Sequence, residues 1–241
     1  MPGVTACAVA RCGTMSVVMY TTDRRFEQED VCQMEEPIAS DNIRGTADTW
    51  LDAATESLLE SGIESVRILP LAKKLNMSRT SFYWFFKDRE ELLATLLGRW
   101  KATNTINWIA RTEAYAETIS EAVLNVFDCW FDDTIFDNRY EAAIRSWGQQ
   151  APQIAAELAD ADAKRIAALT EMFERFGYEL LAAQVRARTM YLTQLGYVSM
   201  KTTEPMAERM TRIATYAEVF TGMSPTAREM QRFFARRVLT A

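Results

Sequence analysis

The chain has 241 residues, 49% hydrophobic and 25% charged, with nine Gly and six Pro, a globular, helix-leaning composition long enough for two unequal domains without a disulfide or metal staple. Its net charge of −6 excludes sequence-blind binding of polyanions over the whole surface, so any nucleic-acid site has to be local. There is no histidine, and Cys7, Cys12, Cys32 and Cys129 form no CxxC pair; this excludes a zinc site, a Cys–His pair and histidine acid–base chemistry.

Residues 1–44 show neither a helical nor a strand period and mix Arg24 and Arg25 with an acidic stretch from Glu27 to Glu36. They read as a flexible arm. It is either an over-called start, with Met15, Met19 and Met34 as other starts, or a segment that sets Arg24, Arg25 and Arg44 against a minor groove or phosphates. Val4-Thr5-Ala6-Cys7 resembles a lipoprotein cleavage box but lacks the basic and apolar segments of a signal peptide. No apolar run is long enough to span a membrane, and unpaired cysteines fit a reducing, cytoplasmic setting.

From Thr46 the period becomes helical: Ala47, Leu51, Ala54 and Leu58 share one face, while Asp48, Asp52, Glu56 and Glu60 take the other. Gly62 should end this helix in the left-handed C′ conformation. Ile68, Leu71, Ala72 and Leu75 predict a brief second helix, about 68–75, with Pro70 tolerable in its first turn. Asn76 accepts left-handed geometry, Met77 plugs the core, and Ser78 caps a third helix. Asp88 then caps a fourth, carrying Leu92, Leu93, Leu96, Leu97 and Trp100 to about Thr103.

Beyond residue 102 every segment stays helical. Ile119 to Trp130 predicts one helix; a second runs from Pro152 to Gly177 and a third carries Leu181, Val185, Leu192 and Leu195. Met206, Met210, Ile213, Ala217 and Phe220 lie on a last long helix between Pro205 and Gly222, and Pro225 opens a C-terminal piece.

The stretch Arg67 to Arg89 sets Arg67, Lys73, Lys74, Arg79, Lys87 and Arg89 against the single acid Asp88, a local charge of +5 in an acidic chain. A basic helical hairpin suits duplex DNA, because phosphate neutralisation supplies affinity and a helix fits the major groove. Phe82 and Phe86, at i and i+4, should face inward onto the first helix.

Gly62, the pattern Ile68-x-x-Leu71-Ala72-x-x-Leu75-Asn76-Met77-Ser78 and the run Arg79-Thr80-Ser81-Phe82-Tyr83-Trp84-Phe85-Phe86-Lys87-Asp88-Arg89-Glu90-Glu91-Leu92-Leu93 closely resemble the DNA-binding domain of the tetracycline-repressor family, over about residues 46–100. The resemblance implies an all-α fold: a three-helix helix-turn-helix domain at 45–102 and a larger helical effector-binding and dimerisation domain at 103–241. It implies that Tyr83 and Lys87 hold phosphates and that Arg79, Thr80, Ser81 and Trp84 approach base edges; Arg67 and Ser78 are read with the same surface, Arg67 standing where the family more often has a capping hydroxyl. Thr80 stands where the family often has glycine and Phe85 where it often has histidine or tyrosine, so the operator sequence does not carry over.

Trp108, Phe127, Trp130, Phe131, Trp147 and Tyr191 in the C-terminal half make an aromatic interior, with Trp100 at the sensing end of the fourth helix and Arg145 and Gln149 one turn apart beside Trp147. Each aromatic reads as core or as effector lining, and Arg145 as a polar anchor or half of a salt bridge. The family resemblance implies a homodimer that binds a double-stranded operator and is released by a small apolar or aromatic effector, without cofactor or metal. The Met206 to Phe220 seam, with the Leu181 to Leu195 helix, is then the dimer interface. A helical protein-binding adaptor and an all-α enzyme using Asp132 with Asp133 or Asp160 with Asp162 are the alternatives. The second lacks any Glu-x-x-His motif or phosphate loop.

Overall fold

The computed structural model describes residues 45–200 and 204–238, and every regular element among them is helical. The arm reading of residues 1–44, with Arg24, Arg25 and Arg44, lies outside the described residues. Helix α1 (Ala47–Ser61) starts in a capping box in which Thr46 and Thr49 satisfy each other's backbone N–H groups. It ends at Gly62, whose φ of 77° is positive as expected but whose ψ of −179° is extended rather than left-handed helical. A side chain there would be strained, and the turn lets a 3₁₀ segment (Ile63–Ser65) follow at once.

Helix α2 (Ile68–Lys74) keeps Pro70 in its first turn. Asn76, at φ 53°, makes the turn into α3 (Arg79–Phe82). Ser78 caps α3, its Oγ accepting from the Ser81 N–H at 3.2 Å, and i→i+3 hydrogen bonds continue the coil to Phe85. Asp88 caps α4 (Arg89–Trp100) by accepting from the Glu91 N–H at 2.9 Å.

The helix begun by α4 runs further than its apolar pattern shows. A π-helical segment (Lys101–Ile106) and α5 (Asn107–Glu113) continue it without a break in helical dihedrals. The π turn has a physical reason: Asn104 and Thr105 are turned inward and buried, where each finds polar partners. The helix expected from Ile119 to Trp130 is divided into α6 (Ile119–Val126) and α7 (Asp128–Phe131). Helix α8 (Asn138–Gly148) is capped by Asp137. Next come α9 (Pro152–Arg175), opened by its proline, and α10 (Leu180–Met200). The single long helix expected from 206 to 220 is instead α11 (Met206–Thr211) and α12 (Ile213–Thr221), and α13 (Ala227–Val238) closes the described chain.

Buried apolar side chains fall into two clusters. One joins α1–α4 to Tyr140, Ile144 and Trp147 of α8 and to Ile154, Leu158 and Ala161 of α9. The other joins α5–α7 to the second half of α9, α10, α12 and α13. Helices α8 and α9 therefore bind the N-terminal helices to the rest, and α9 carries both cores along its length. Burial pushes the Cys129 thiol in the second core up to about 12, so it stays protonated. Among the described residues no helix is long and apolar enough to cross a membrane.

Candidate DNA-binding surface and sensing cleft

Helix α3 has two faces with different chemistry. Phe82 is wholly buried and Phe86 nearly so; their rings lie 5.5 Å apart, and Trp50 of α1 meets Phe82 edge-on at 5.3 Å. These contacts fix α3 on α1, as the i, i+4 spacing predicts. Arg79, Thr80, Tyr83, Trp84 and Lys87 take the opposite side and are exposed, Trp84 to 67%. Arg79 donates to the Tyr83 hydroxyl at 3.0 Å, while Thr80, Trp84 and Lys87 have no side-chain hydrogen bond or ion pair among the described residues.

Two of the site hydroxyls serve the backbone: Ser78 is the cap, and Ser81 Oγ donates to the Ser78 carbonyl at 2.7 Å. Arg67 stands exposed before α2 and pairs with Glu64 at 3.3 Å. The basic stretch is less available than its count of charges indicates. Lys74 is held by Glu56 at 2.9 Å and Glu60 at 3.5 Å. The Arg89 guanidinium donates to the Val66 and Ile63 carbonyls at 2.6 and 3.1 Å, tying the start of α4 to the corner after α1. The outward positive charge is carried by Arg79, Lys87 and Lys73.

This arrangement, two short helices around a left-handed Asn76 with the second offering an exposed polar face, is a helix-turn-helix. Residues 51–96 match the family model of the bacterial regulatory proteins, tetR family. Residues 51–96 therefore form a TetR-type DNA-binding domain. Solved structures share the chain's fold. A TetR-family transcriptional regulator from Mesorhizobium loti aligns with TM-score 0.55 and 16% identity over 73% of this chain and 95% of the other. GusR of Salmonella enterica aligns with TM-score 0.56 and 18% identity over 73% and 93%, and a TetR-family regulator from Rhodococcus sp. with 0.54 and 13% over 73% and 98%. No curated protein matches the chain.

The nine residues expected to line an effector pocket part company. Trp108, Phe127, Trp130 and Tyr191 are packed in the second core, and Trp100 is sealed in the first. Phe131 is half-buried between the guanidinium groups of Arg209 and Arg237, at 4.7 and 5.3 Å. The space beside Trp130 and Phe131 is about 10 Å³, room for no more than one water. Arg145, Trp147 and Gln149 instead line a cleft of about 920 Å³ between the end of α1, α8 and α10.

Arg145 is the salt bridge that its alternative reading describes. It grips Asp162 at 3.1 and 2.5 Å and reaches Glu141 at 2.8 Å. Behind it lies a buried polar network that the spacing analysis missed. Glu141, fully buried, accepts from Trp100 Nε1 at 2.8 Å, Asn104 Nδ2 at 3.0 Å and Arg165 at 2.9 Å. Burial pushes the Glu141 carboxyl up, but the guanidinium groups of Arg165 and Arg145 and the hydrogen bonds outweigh it, so the group titrates below the usual carboxylate range. The available signal was Arg165 itself, standing in line with Leu158, Ala161 and Leu169 on the apolar face of α9.

Proposed function

We propose that this chain is a cytoplasmic homodimeric repressor whose residues 45–102 grip an operator and whose residues 103–241 dimerise and bind a small molecule that releases it. The observation that carries the DNA part is the outward face of α3, where Arg79, Thr80, Tyr83, Trp84 and Lys87 are exposed while Phe82 and Phe86 hold the helix from behind. Tyr83 and Lys87 take phosphates, Arg79, Thr80, Ser81 and Trp84 face base edges, and Arg67 and Ser78 flank them. Two copies are needed because one short helix reads only a few base pairs, and paired recognition helices must meet successive major grooves about 34 Å apart.

The apolar surface of α10 supports the dimer. Leu181, Val185 and Leu192 are exposed to 73, 56 and 59%, with Val219 of α12 beside them at 65%. An apolar stripe left open on one protomer marks an interface. Release by a ligand follows if the ligand prefers a spacing of the α3 helices that no longer fits the duplex, since equal affinity for both states shifts nothing.

A salt-titrated mobility-shift assay on the DNA upstream of the protein's own gene tests this reading. A saturable shift is expected, weakened by about 1–3 kcal/mol in the Arg79→Ala and Trp84→Ala variants, with log affinity falling linearly against log salt. Equal binding of unrelated duplexes by wild type and both variants would overturn it.

A further inference from the structure

The geometry points to the cleft between the α1 corner, α8 and α10 as the effector site, and to an amphipathic organic anion that also donates a hydrogen bond as its ligand. The inference rests on the effector-controlled repression proposed above and adds the place and the chemistry. The cleft, at about 920 Å³, has the size of a small-molecule pocket, whereas the space beside Trp130 and Phe131 does not.

Gln194 gives the first requirement. It lines the cleft, is 1% exposed, and its Oε1 has no partner. Its orientation is set from outside: Asn138 Nδ2 donates to Asp133 at 3.2 Å, which leaves Asn138 Oδ1 to accept from Gln194 Nε2 at 2.8 Å. The unpartnered atom is therefore an acceptor, and a ligand O–H or N–H answers it. Arg145, also on the cleft wall, has the converse vacancy, a buried Nε–H without an acceptor.

Charge gives the second requirement. Arg139 and Arg209 line the cleft and make no ion pair with a carboxylate among the described residues, while the carboxylate on the wall, Glu64, is engaged by Arg67. Arg209 is held in place, donating to the Trp130 carbonyl at 3.2 Å and lying over Phe131 and Tyr197. Two unneutralised guanidinium groups on a concave wall select an anion. Leu58, Ile63, Trp147 and Val198 add apolar surface to the same wall, and this makes the ligand amphipathic.

The place also explains how occupancy reaches the DNA. Ile63 forms the DNA-binding domain's side of the cleft, and its carbonyl accepts from Arg89 at the first residue of α4. A ligand wedged between Ile63 and α8 acts on the joint that aims the helix-turn-helix, without passing through the aromatic interior.

The probe is 4-hydroxycinnamate, with cinnamate lacking the hydroxyl and methyl 4-hydroxycinnamate lacking the charge, each titrated into the full-length dimer by calorimetry. Saturable binding of 4-hydroxycinnamate is expected, at least tenfold tighter than of either control. It should weaken at least fivefold in Arg139→Gln and in Gln194→Leu; thermal melting of both variants checks their fold, and the exposed Arg139 keeps the test decisive if Gln194→Leu is unstable. No saturable binding at millimolar concentration, or binding indifferent to both substitutions, overturns the site and its chemistry. Cleft-dependent binding that leaves operator affinity unaltered supports the site and overturns the effector reading. Operator release by a probe insensitive to both substitutions does the reverse.

Discussion

Phe82 ends α3, Trp84 stands two residues later in the turn that continues it, and the two face opposite ways, so the segment keeps stability and recognition on separate side chains. Phe82→Ala removes a wholly buried ring from between Trp50 and Phe86 and should cost about 3–5 kcal/mol in urea unfolding. Trp84→Ala removes a ring that touches mostly solvent. It should leave stability within about 0.5 kcal/mol and cost about 1–3 kcal/mol of operator binding in the shift assay. If Trp84→Ala unfolds the protein as Phe82→Ala does, the indole belongs to a core and the two-face assignment is wrong. The face of each aromatic was legible from the i, i+4 spacing, because helical geometry fixes it locally. The fate of the basic residues was not. Arg89 reads as part of a phosphate-binding surface, yet its partners are carbonyls 23 and 26 residues earlier in the chain, and no local pattern reports a contact at that separation.

At the level of elements the same limit appears in the helices near the C-terminus. Met206, Met210, Ile213, Ala217 and Phe220 repeat at four, three, four and three, the spacing of a helix that meets a partner. In the structure Ile213, Ala217 and Phe220 are buried inside their own protomer, with Phe220 against Phe127 and Trp130. A helix that meets its own core and one that meets a second copy have the same period, so the pattern alone cannot separate them. Helix α10 differs because it is apolar on two sides. Ala183, Ala187, Met190 and Tyr191 pack inward, while Leu181, Val185 and Leu192 point out. The dimer surface we propose is therefore α10 with Val219. Val185→Glu combined with Leu192→Glu should yield a folded monomer in analytical ultracentrifugation at micromolar concentration, with its helical signal intact. Ile213→Glu should instead lower thermal stability by burying an unpaired charge. A dimer that survives the first pair of changes removes α10 from the interface.

Across the whole molecule the two cores are joined through Glu141. Arg165 of α9 binds Glu141, the Tyr191 hydroxyl at 3.0 Å and Thr105 of the π segment at 2.8 Å; Trp100 and Asn104 bind Glu141 from the N-terminal side. A buried pair of this kind is costly to break and cheap to replace as a pair. Arg165→Met should therefore destabilise by about 3–5 kcal/mol, and Glu141→Leu added to it should restore much of the loss. The sign with pH follows from the lowered carboxyl. A folded-state pKa below the unfolded value means that the contribution is fully present above about 4.3, the ordinary Glu value, and is lost as pH falls through the folded one. The double variant should lack this acid-side loss in its melting curve. The network also bears on the control we propose, because Trp100 ends α4, the helix whose first residue, Arg89, holds the corner beside the helix-turn-helix. Trp100→Ala would confound any test by opening a cavity in a core position. Trp100→Phe keeps a six-membered aromatic ring in the core, leaves a smaller cavity than alanine and deletes the indole N–H that anchors α4 to Glu141. We expect the dimer and its melting to survive with a loss of about 1–3 kcal/mol. The ratio of operator affinities without and with a releasing ligand should fall at least threefold, read in paired shift assays at one salt concentration. An unchanged ratio in a folded, dimeric Trp100→Phe protein would show that release does not travel through α4 and its hold on Glu141.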